Sequence, residues 1–568
     1  MKKISEIISF ELPDKIKNLE VSDICDDSRK ASEGCLFIAV DGSLDNGQKY
    51  INDAISRGAK YIVLNGEENH AVQSDYCITY IYVNDSRIER SYIASRFFPN
   101  NFSHVPRPPH NELFFARARK NADTCVVAQD RSVLDEHEDP SSGSDDANCG
   151  KEPLCSGFVI AVTGTNGKSS TVDIVRQIWT KWGRRSASIG TLGVQAANVK
   201  LDPFTYPDSA AASQAHLAHF SAGSKAGNAR AASTTTPGPI QLHKIFHDLS
   251  SFGFRNIAIE ASSHGICQHR VDNVDFSVCA FTNFTQDHLD YHKTMEDYWK
   301  AKERLFSEVA GKNTIFVVNS DEGEYSKKIF EIAAARNIKC ISYGYEADDM
   351  KIISIVPEET HTSMTVSFWG REVTIALPIY GTFQVYNSLC AAAICHATGV
   401  SIDNIIGALE GIEPISGRME LVRKYKCVNI FLDYAHTPNA LKNAIQSVKS
   451  HTLNRVITVF GCGGDRDREK RKLMGEIAEQ FSDFVFVTDD NPRSEDPAII
   501  RKMIMEGFSG NDKVTEVLTG RKDAIEAAME FASEGDSILV AGKGHENYQQ
   551  LANEVVYFSD RDVILNKA

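Results

Sequence analysis

The chain has 568 residues, enough for three or four domains, and its 42% hydrophobic and 24% charged content is that of a globular protein. A formal charge of -15 argues against a nucleic-acid partner. The 13 cysteines are scattered and odd in number, with no C-x-x-C pair, so they read neither as a disulfide framework nor as a zinc or redox site.

The N-terminal MKKISEIISFELPDK carries acids inside a short apolar run and does not read as a signal peptide. No run of about eighteen apolar residues is present to span a bilayer, and the expected compartment is the cytoplasm. Residues 1–97 alternate short strands (CLFIAV, CITYIYV) with helical segments, a small α/β unit. Within it Asp26-Asp27-Ser28-Arg29 and Asp41-Gly42-Ser43-Leu44-Asp45 flank a strand, and from spacing alone both read as turns. Residues 98–155 are rich in Pro, Ser, Asp and Gly and read as a linker or surface insertion, as do residues from about 195 to 232.

The most informative stretch is FVIAVTGTNGKSSTVDIVRQIWTKW, Phe158 to Trp182. A buried strand, a glycine turn and a helix with apolar Val172, Val175, Ile178, Trp179 and Trp182 follow one another. The turn Gly164-Thr165-Asn166-Gly167-Lys168-Ser169-Ser170 suits a nucleotide triphosphate. Its glycines let backbone N–H groups approach an oxyanion, and the helix N-terminus adds partial positive charge. Lys168 would reach the terminal phosphates of ATP or GTP, and Ser169 or Ser170 would hold Mg²⁺. Val162 stands where the full phosphate-loop pattern has its first glycine.

Further strands in this region end in polar clusters: Asn256–Glu260 before Ser262-Ser263-His264-Gly265, and SVCAFTNF before Gln286-Asp287-His288. Open α/β sheets bind ligands at that carboxyl edge. Glu260 and His288 are the magnesium candidates, although a lone Glu after a strand also serves as a helix cap. The helix Met295–Phe306 carries Lys300 and Lys302, both of which read as surface lysines on a charged face. From about residue 414 the strands VNIFLDYAH, RVITVFG, DFVFVTDD and DSILVAG again end in polar residues, the pattern of a doubly wound sheet.

The ordered motifs DSR, GTNGK, TTP, E-x-SSHG-x-x-QHR, DHLD, A-K-x-x-LF, GRME, DYAHTP, GCGGDRD, DNPR and GKGHE resemble the bacterial Mur ligases over nearly the whole chain apart from the two insertions. The resemblance implies an α/β protein of three domains. These are a UDP-sugar domain (1–97, then the 98–155 insertion), a central P-loop ATPase (156–413) and a C-terminal Rossmann-like domain (414–568) that holds the incoming amino acid. It implies ATP-dependent addition of meso-diaminopimelate to UDP-MurNAc-L-Ala-D-Glu through an acyl phosphate, by a cytoplasmic monomer in peptidoglycan synthesis.

Carried over by motif, Gly164 to Ser170, Asn387, Arg418 and Asp433 would bind ATP, with His436 near the nucleotide. Ser169, Glu260, His288 and Lys302, the last as a carbamate, would hold Mg²⁺; a carbamate supplies an anionic oxygen where an ammonium would be repelled. Asp26, Ser28, Ser43, Leu44, Thr235, Thr236, Ser262, Gln268 and Arg270 would hold the UDP-sugar dipeptide. Arg466, Asp490, Asn491, Pro492, Arg493, Gly542 and Glu546 would hold diaminopimelate. A guanidinium at Arg493 matches the carboxylate that distinguishes diaminopimelate from lysine. FQVYN replaces the family's FNVYN, which puts Gln384 in question, and Pro414–Gly417 is the expected hinge. The competing assignments are a lysine-adding or folate-glutamylating sister ligase and a non-catalytic muropeptide-binding scaffold.

Overall fold

The computed structural model describes residues 1–41, 46–66, 72–75, 78–100, 157–196, 235–510 and 512–567. Ser43, Leu44 and nearly all of both insertions lie outside them.

Three mixed sheets organise the chain. The first has the order Ile24–Cys25, Leu36–Ile38, Tyr61–Asn65, Ile78–Val83, Val72–Asp75, parallel except for the last pair. The Ser86–Phe97 helix closes it and packs on the central Pro239–Ser251 helix. Ser91 Oγ donates to Asp272 O across that seam (2.6 Å).

The central sheet has ten strands, with Phe158–Thr163 between Asn256–Glu260 and Val278–Phe281. Its inner strands are parallel and almost wholly apolar, because helices cover both faces. The Lys168–Lys181 and Thr382–Ala397 helices bury one face; Pro239–Ser251 and Met295–Arg304 cover the other. Three antiparallel strands, Met350–Pro357, Thr362–Phe368 and Arg371–Leu377, extend one edge.

The third sheet runs Glu420–Tyr425, Val428–Asp433, Ser537–Ala541, Val456–Phe460, Phe484–Val487, Val514–Glu516, all parallel but for the first strand. Arg521, fully buried, pairs with buried Asp560 (2.6 Å) and donates to Ala541 O (2.8 Å), tying the strand before Gly542 to the C-terminal helix.

Three local expectations change. Gln195 and Ala196 belong to an edge strand, Gly193–Ala196, antiparallel to Ser186–Gly190, where composition read loop. The Met295 helix is regular only to Arg304 and widens into a π-turn over Leu305–Val309, and the Lys168 helix ends at Lys181, leaving Trp182 as its cap. Lys302 is not a surface lysine: it is 1% exposed, whereas the Lys300 side chain is 62% exposed. Two residues apart on a helix, they point about 200° around the axis from one another, one inward and one to water.

Candidate active site

The 164–170 turn joins the central strand to its helix, with Val162 fully buried in the strand. Gly164 has φ +149°, and a side chain there would collide with Thr282 Oγ1. The turn is braced from the neighbouring strand end. Asn166 N–H donates to Asn283 Oδ1 (2.8 Å), Thr282 Oγ1 donates to Asn166 O (2.7 Å), and Thr165 N–H donates to Asn283 O (2.9 Å). Asn387 presses its side chain against Gly167, and its Nδ2 donates to Gln384 Oε1 (2.9 Å). Gln384 Nε2 in turn donates to Arg418 O (3.1 Å), so Gln384 links the loop support to the third sheet.

Two amines meet on one carbonyl. Lys168 Nζ donates to Gly164 O (2.9 Å) and Thr165 O (2.8 Å), and Lys302 Nζ donates to the same Gly164 O (2.8 Å). Burial holds the Lys168 amine below its ordinary range, against the pull of Glu260 and Asp287. Lys302 is pushed well below its ordinary range, first by burial and then by Lys168. Beside them His288, at φ +54°, is driven down to about 3 by burial despite Asp287.

Glu260 is 1% exposed and takes both Thr191 donors: the N–H at 2.7 Å and Oγ1 at 3.1 Å. Among the described residues no three His, Cys, Asp or Glu side chains form a metal-binding group. Ser169, Glu260 and His288 therefore fit Mg²⁺ only as a site completed by phosphate, carbamate or water oxygens, which is how that ion is usually held.

The third sheet reaches this loop through Arg418, whose Nη2 donates to Ser169 Oγ (2.8 Å) and whose guanidinium lies 4.5 Å above the Tyr434 ring. Asp433 does not face outward. Its oxygens accept from Met419 N (2.7 Å) and Ala435 N (2.8 Å), which fixes the turn bearing Arg418, and burial lifts its carboxyl to about 6. His436, beside it, points Nδ1 at Tyr434 O (2.9 Å).

A second cluster lies toward the first sheet. Thr236 Oγ1 donates to Glu260 O (2.8 Å) and meets Ser262 Oγ (2.9 Å), and Arg270 donates to Thr236 O (2.6 Å) and Gln268 Oε1 (2.6 Å). Thr235 Oγ1 accepts from Thr191 Oγ1 (3.2 Å). Asp26 accepts from Arg90 (2.9 Å), and Ser28 is buried at the start of the turn that Asp27 caps.

The third cluster joins two loops at the carboxyl edge of the last sheet. Asn491 Nδ2 donates to Glu546 Oε2 (2.9 Å), and the buried Lys543 ammonium lies 3.2 Å from both Asn491 Oδ1 and Glu546 Oε2. Asp490 accepts from Asn491 N (2.6 Å) and abuts Gly542, and Pro492 O accepts from Glu495 N (3.0 Å). Arg493 donates to Gly464 O (2.7 Å); burial, then the exposed Arg466 nearby, disfavour its charge.

Motif reading missed Thr191, Asn283 and Lys543. Asn283 and Lys543 lie within SVCAFTNF and GKGHE, whereas Thr191 follows a strand with no local mark of its partner.

A phosphate loop on one mostly parallel sheet, with a second such sheet whose edge carries a polar cluster, is the arrangement of a nucleotide-dependent enzyme. The chain belongs to the Mur ligase family: the Mur ligase middle domain matches residues 162–395, and the Mur ligase glutamate ligase domain matches 417–544. Two relatives within the family are named UDP-N-acetylmuramoyl-L-alanyl-D-glutamate–2,6-diaminopimelate ligase. That of Agrobacterium fabrum is 35% identical over 97% of this chain and 94% of its own; that of Anaplasma marginale is 41% identical over 71% and 78%. A solved structure of the same name aligns at TM-score 0.61 and 24% identity over 99% of this chain and 98% of its own. A MurF ligase from Thermotoga maritima in complex with ADP aligns at 0.55 and 16% over 93% and 95%, a likeness of fold.

Gly417, at φ +64°, lies so close under Gly544 and His545 that any side chain would strike the His545 backbone nitrogen. Gly417→Ala is expected to lower kcat about 10²-fold by displacing the 544–546 turn, with a backbone penalty of roughly 1–2 kcal/mol. Steady-state kinetics with a thermal melt of the same preparation checks both.

Proposed function

We propose that this chain catalyses ATP-dependent addition of meso-2,6-diaminopimelate to UDP-N-acetylmuramoyl-L-alanyl-D-glutamate, as a cytoplasmic monomer. Residues 1–97 hold the UDP sugar, 156–413 the ATP and 414–568 the amino acid. The observation that carries this reading is the third cluster, where a partly buried guanidinium (Arg493) and a carboxylate (Glu546) hydrogen-bonded by the Asn491 amide share one sheet edge. A zwitterionic acceptor with an extra carboxylate suits that pairing.

ATP lies over Gly164 to Ser170 with its phosphates against Lys168, and Arg418 approaches the same end from the third sheet. Mg²⁺, held by Ser169, Glu260, His288 and a carbamate on Lys302, would neutralise phosphate charge as the phosphoryl group moves. Thr236, Ser262, Gln268 and Arg270 orient the dipeptide so that the D-glutamate carboxylate oxygen attacks the γ-phosphorus and ADP leaves. The acceptor amine then attacks the acyl carbon, the C–O bond to phosphate breaks, and the amine gives up a proton as the amide forms. Two amines on Gly164 O favour the carbamate, because neutral amine is the form that adds CO₂ and the adduct removes one of the two like charges.

The test is phosphate release with ATP, Mg²⁺ and the UDP-dipeptide, comparing diaminopimelate, lysine and D-Ala-D-Ala. Diaminopimelate is expected to exceed lysine in kcat/KM by about 10³-fold or more. A preference for lysine, or no acceptor-dependent phosphate, overturns the reading.

A further inference from the structure

We infer that His545 is a positioning residue that couples occupancy of the acceptor pocket to the nucleotide end of the site; this rests on the reading above. Its ring bridges the two halves of the protein. His545 Nε2 lies 3.2 Å from the carbonyl oxygen of Thr191, 354 residues away. A carbonyl oxygen only accepts, so the ring proton is on Nε2. Nδ1 is buried and has no hydrogen-bond partner among the described residues.

Thr191 is the residue whose N–H and Oγ1 both hold Glu260 (2.7 and 3.1 Å). One hydrogen bond from His545 thus anchors the residue whose N–H and hydroxyl hold the carboxylate. The other side of the ring lies 5.4 Å from Tyr434, at 33° between planes, and Tyr434 carries Arg418 on its face. Arg418 ends on Ser169 of the phosphate loop (2.8 Å). His545 therefore touches both routes to the phosphates.

The residue next to it is Glu546, tied to Asn491 and Lys543 in the acceptor pocket. A shift of that turn on acceptor binding moves His545 with it, because His545 and Glu546 are consecutive residues of the same turn. The acceptor amino acid and the nucleotide then bias one arrangement of the two sheets, which is a coupling free energy and is reciprocal.

The test uses the full chain and three variants, with the UDP-dipeptide and a non-hydrolysable ATP analogue, measuring analogue affinity by calorimetry with and without diaminopimelate. In the parent protein diaminopimelate is expected to tighten the analogue about 10-fold. His545→Ala is expected to reduce that factor below about 2-fold, and in turnover to lower kcat about 30-fold while acceptor KM at saturating nucleotide rises about 5- to 10-fold with the lost coupling. His545→Gln places an amide N–H at the Nε2 position and restores coupling and kcat, whereas His545→Asn, too short to reach Thr191, behaves as alanine. The inference is overturned if Ala, Gln and Asn are equally impaired, if the alanine variant raises acceptor KM with kcat unchanged, or if coupling survives in it. Turnover of the parent protein with diaminopimelate tests the underlying reaction separately.

Discussion

Lys302→Met is expected to reduce turnover by about 10³-fold or more while leaving the fold at least as stable as before. The opposite signs follow from one environment. Lys302 is 1% exposed, its amine has a single carbonyl acceptor among the described residues, Gly164 O, and it shares that acceptor with Lys168. The Tyr298 ring beneath it, 4.5 Å away, offsets little of the lost hydration.

Methionine fills nearly the same volume and carries no charge, so it gains about 1–3 kcal/mol in metal-free, CO₂-free buffer. The sign with pH is fixed. Burial lowers the folded-state pKa, so folding is penalised wherever the unfolded lysine holds a proton that the folded one resists. The advantage of methionine is therefore full at pH below the folded value, shrinks as pH rises, and vanishes above about 10.4, where the unfolded lysine is neutral as well. Denaturant melts from pH 6 to 11 beside phosphate-release assays measure both halves. A Lys302→Met variant that is destabilised, or one that keeps its activity, contradicts the assignment.

The same residue shows where sequence reading stops. The phosphate loop was legible because strand, glycine turn and helix are contiguous, and their spacing alone places the amide groups. The sheets were legible because inner parallel strands are apolar along most of their length, as Phe158–Thr163 and Val278–Phe281 are. Lys302 carries no such mark. Its helix has charged residues on most sides, and which lysine turns inward is decided by contact with Gly164, 138 residues away. Only the family motif singled it out. Thr191 and His545 were illegible for the same reason, since their roles exist only once the two sheets face each other. The Met350–Leu377 strands, of which Thr362–Phe368 alternates buried and half-exposed residues, fall between motifs, so a motif-led reading passes over them.

Arg493→Ala is expected to lower kcat/KM for diaminopimelate by about 10³–10⁴-fold, mostly through KM, and to leave the small activity with lysine unchanged. Among the described residues the guanidinium has one acceptor, Gly464 O, and burial, then nearby Arg466, disfavour its charge. Two guanidiniums near each other, one partly buried and one exposed, suit an anion, and a second carboxylate is what diaminopimelate has and lysine lacks. Arg493 also sits at φ +52°, a backbone conformation that costs a non-glycine residue roughly 1–2 kcal/mol, kept in place by its N–H to Gln550 O (3.0 Å). Alanine retains that bond and removes the repulsion, so its melting temperature stays close to the parent's and the kinetic loss reads recognition alone. Arg493→Lys separates charge from shape: if bidentate geometry is what selects the acceptor, the lysine substitution recovers no more than about 10-fold of the lost efficiency. Competition between diaminopimelate and lysine in one reaction, with products resolved by mass, gives the discrimination directly. A parent-like ratio in the alanine variant would move the specificity to Arg466 and Glu546.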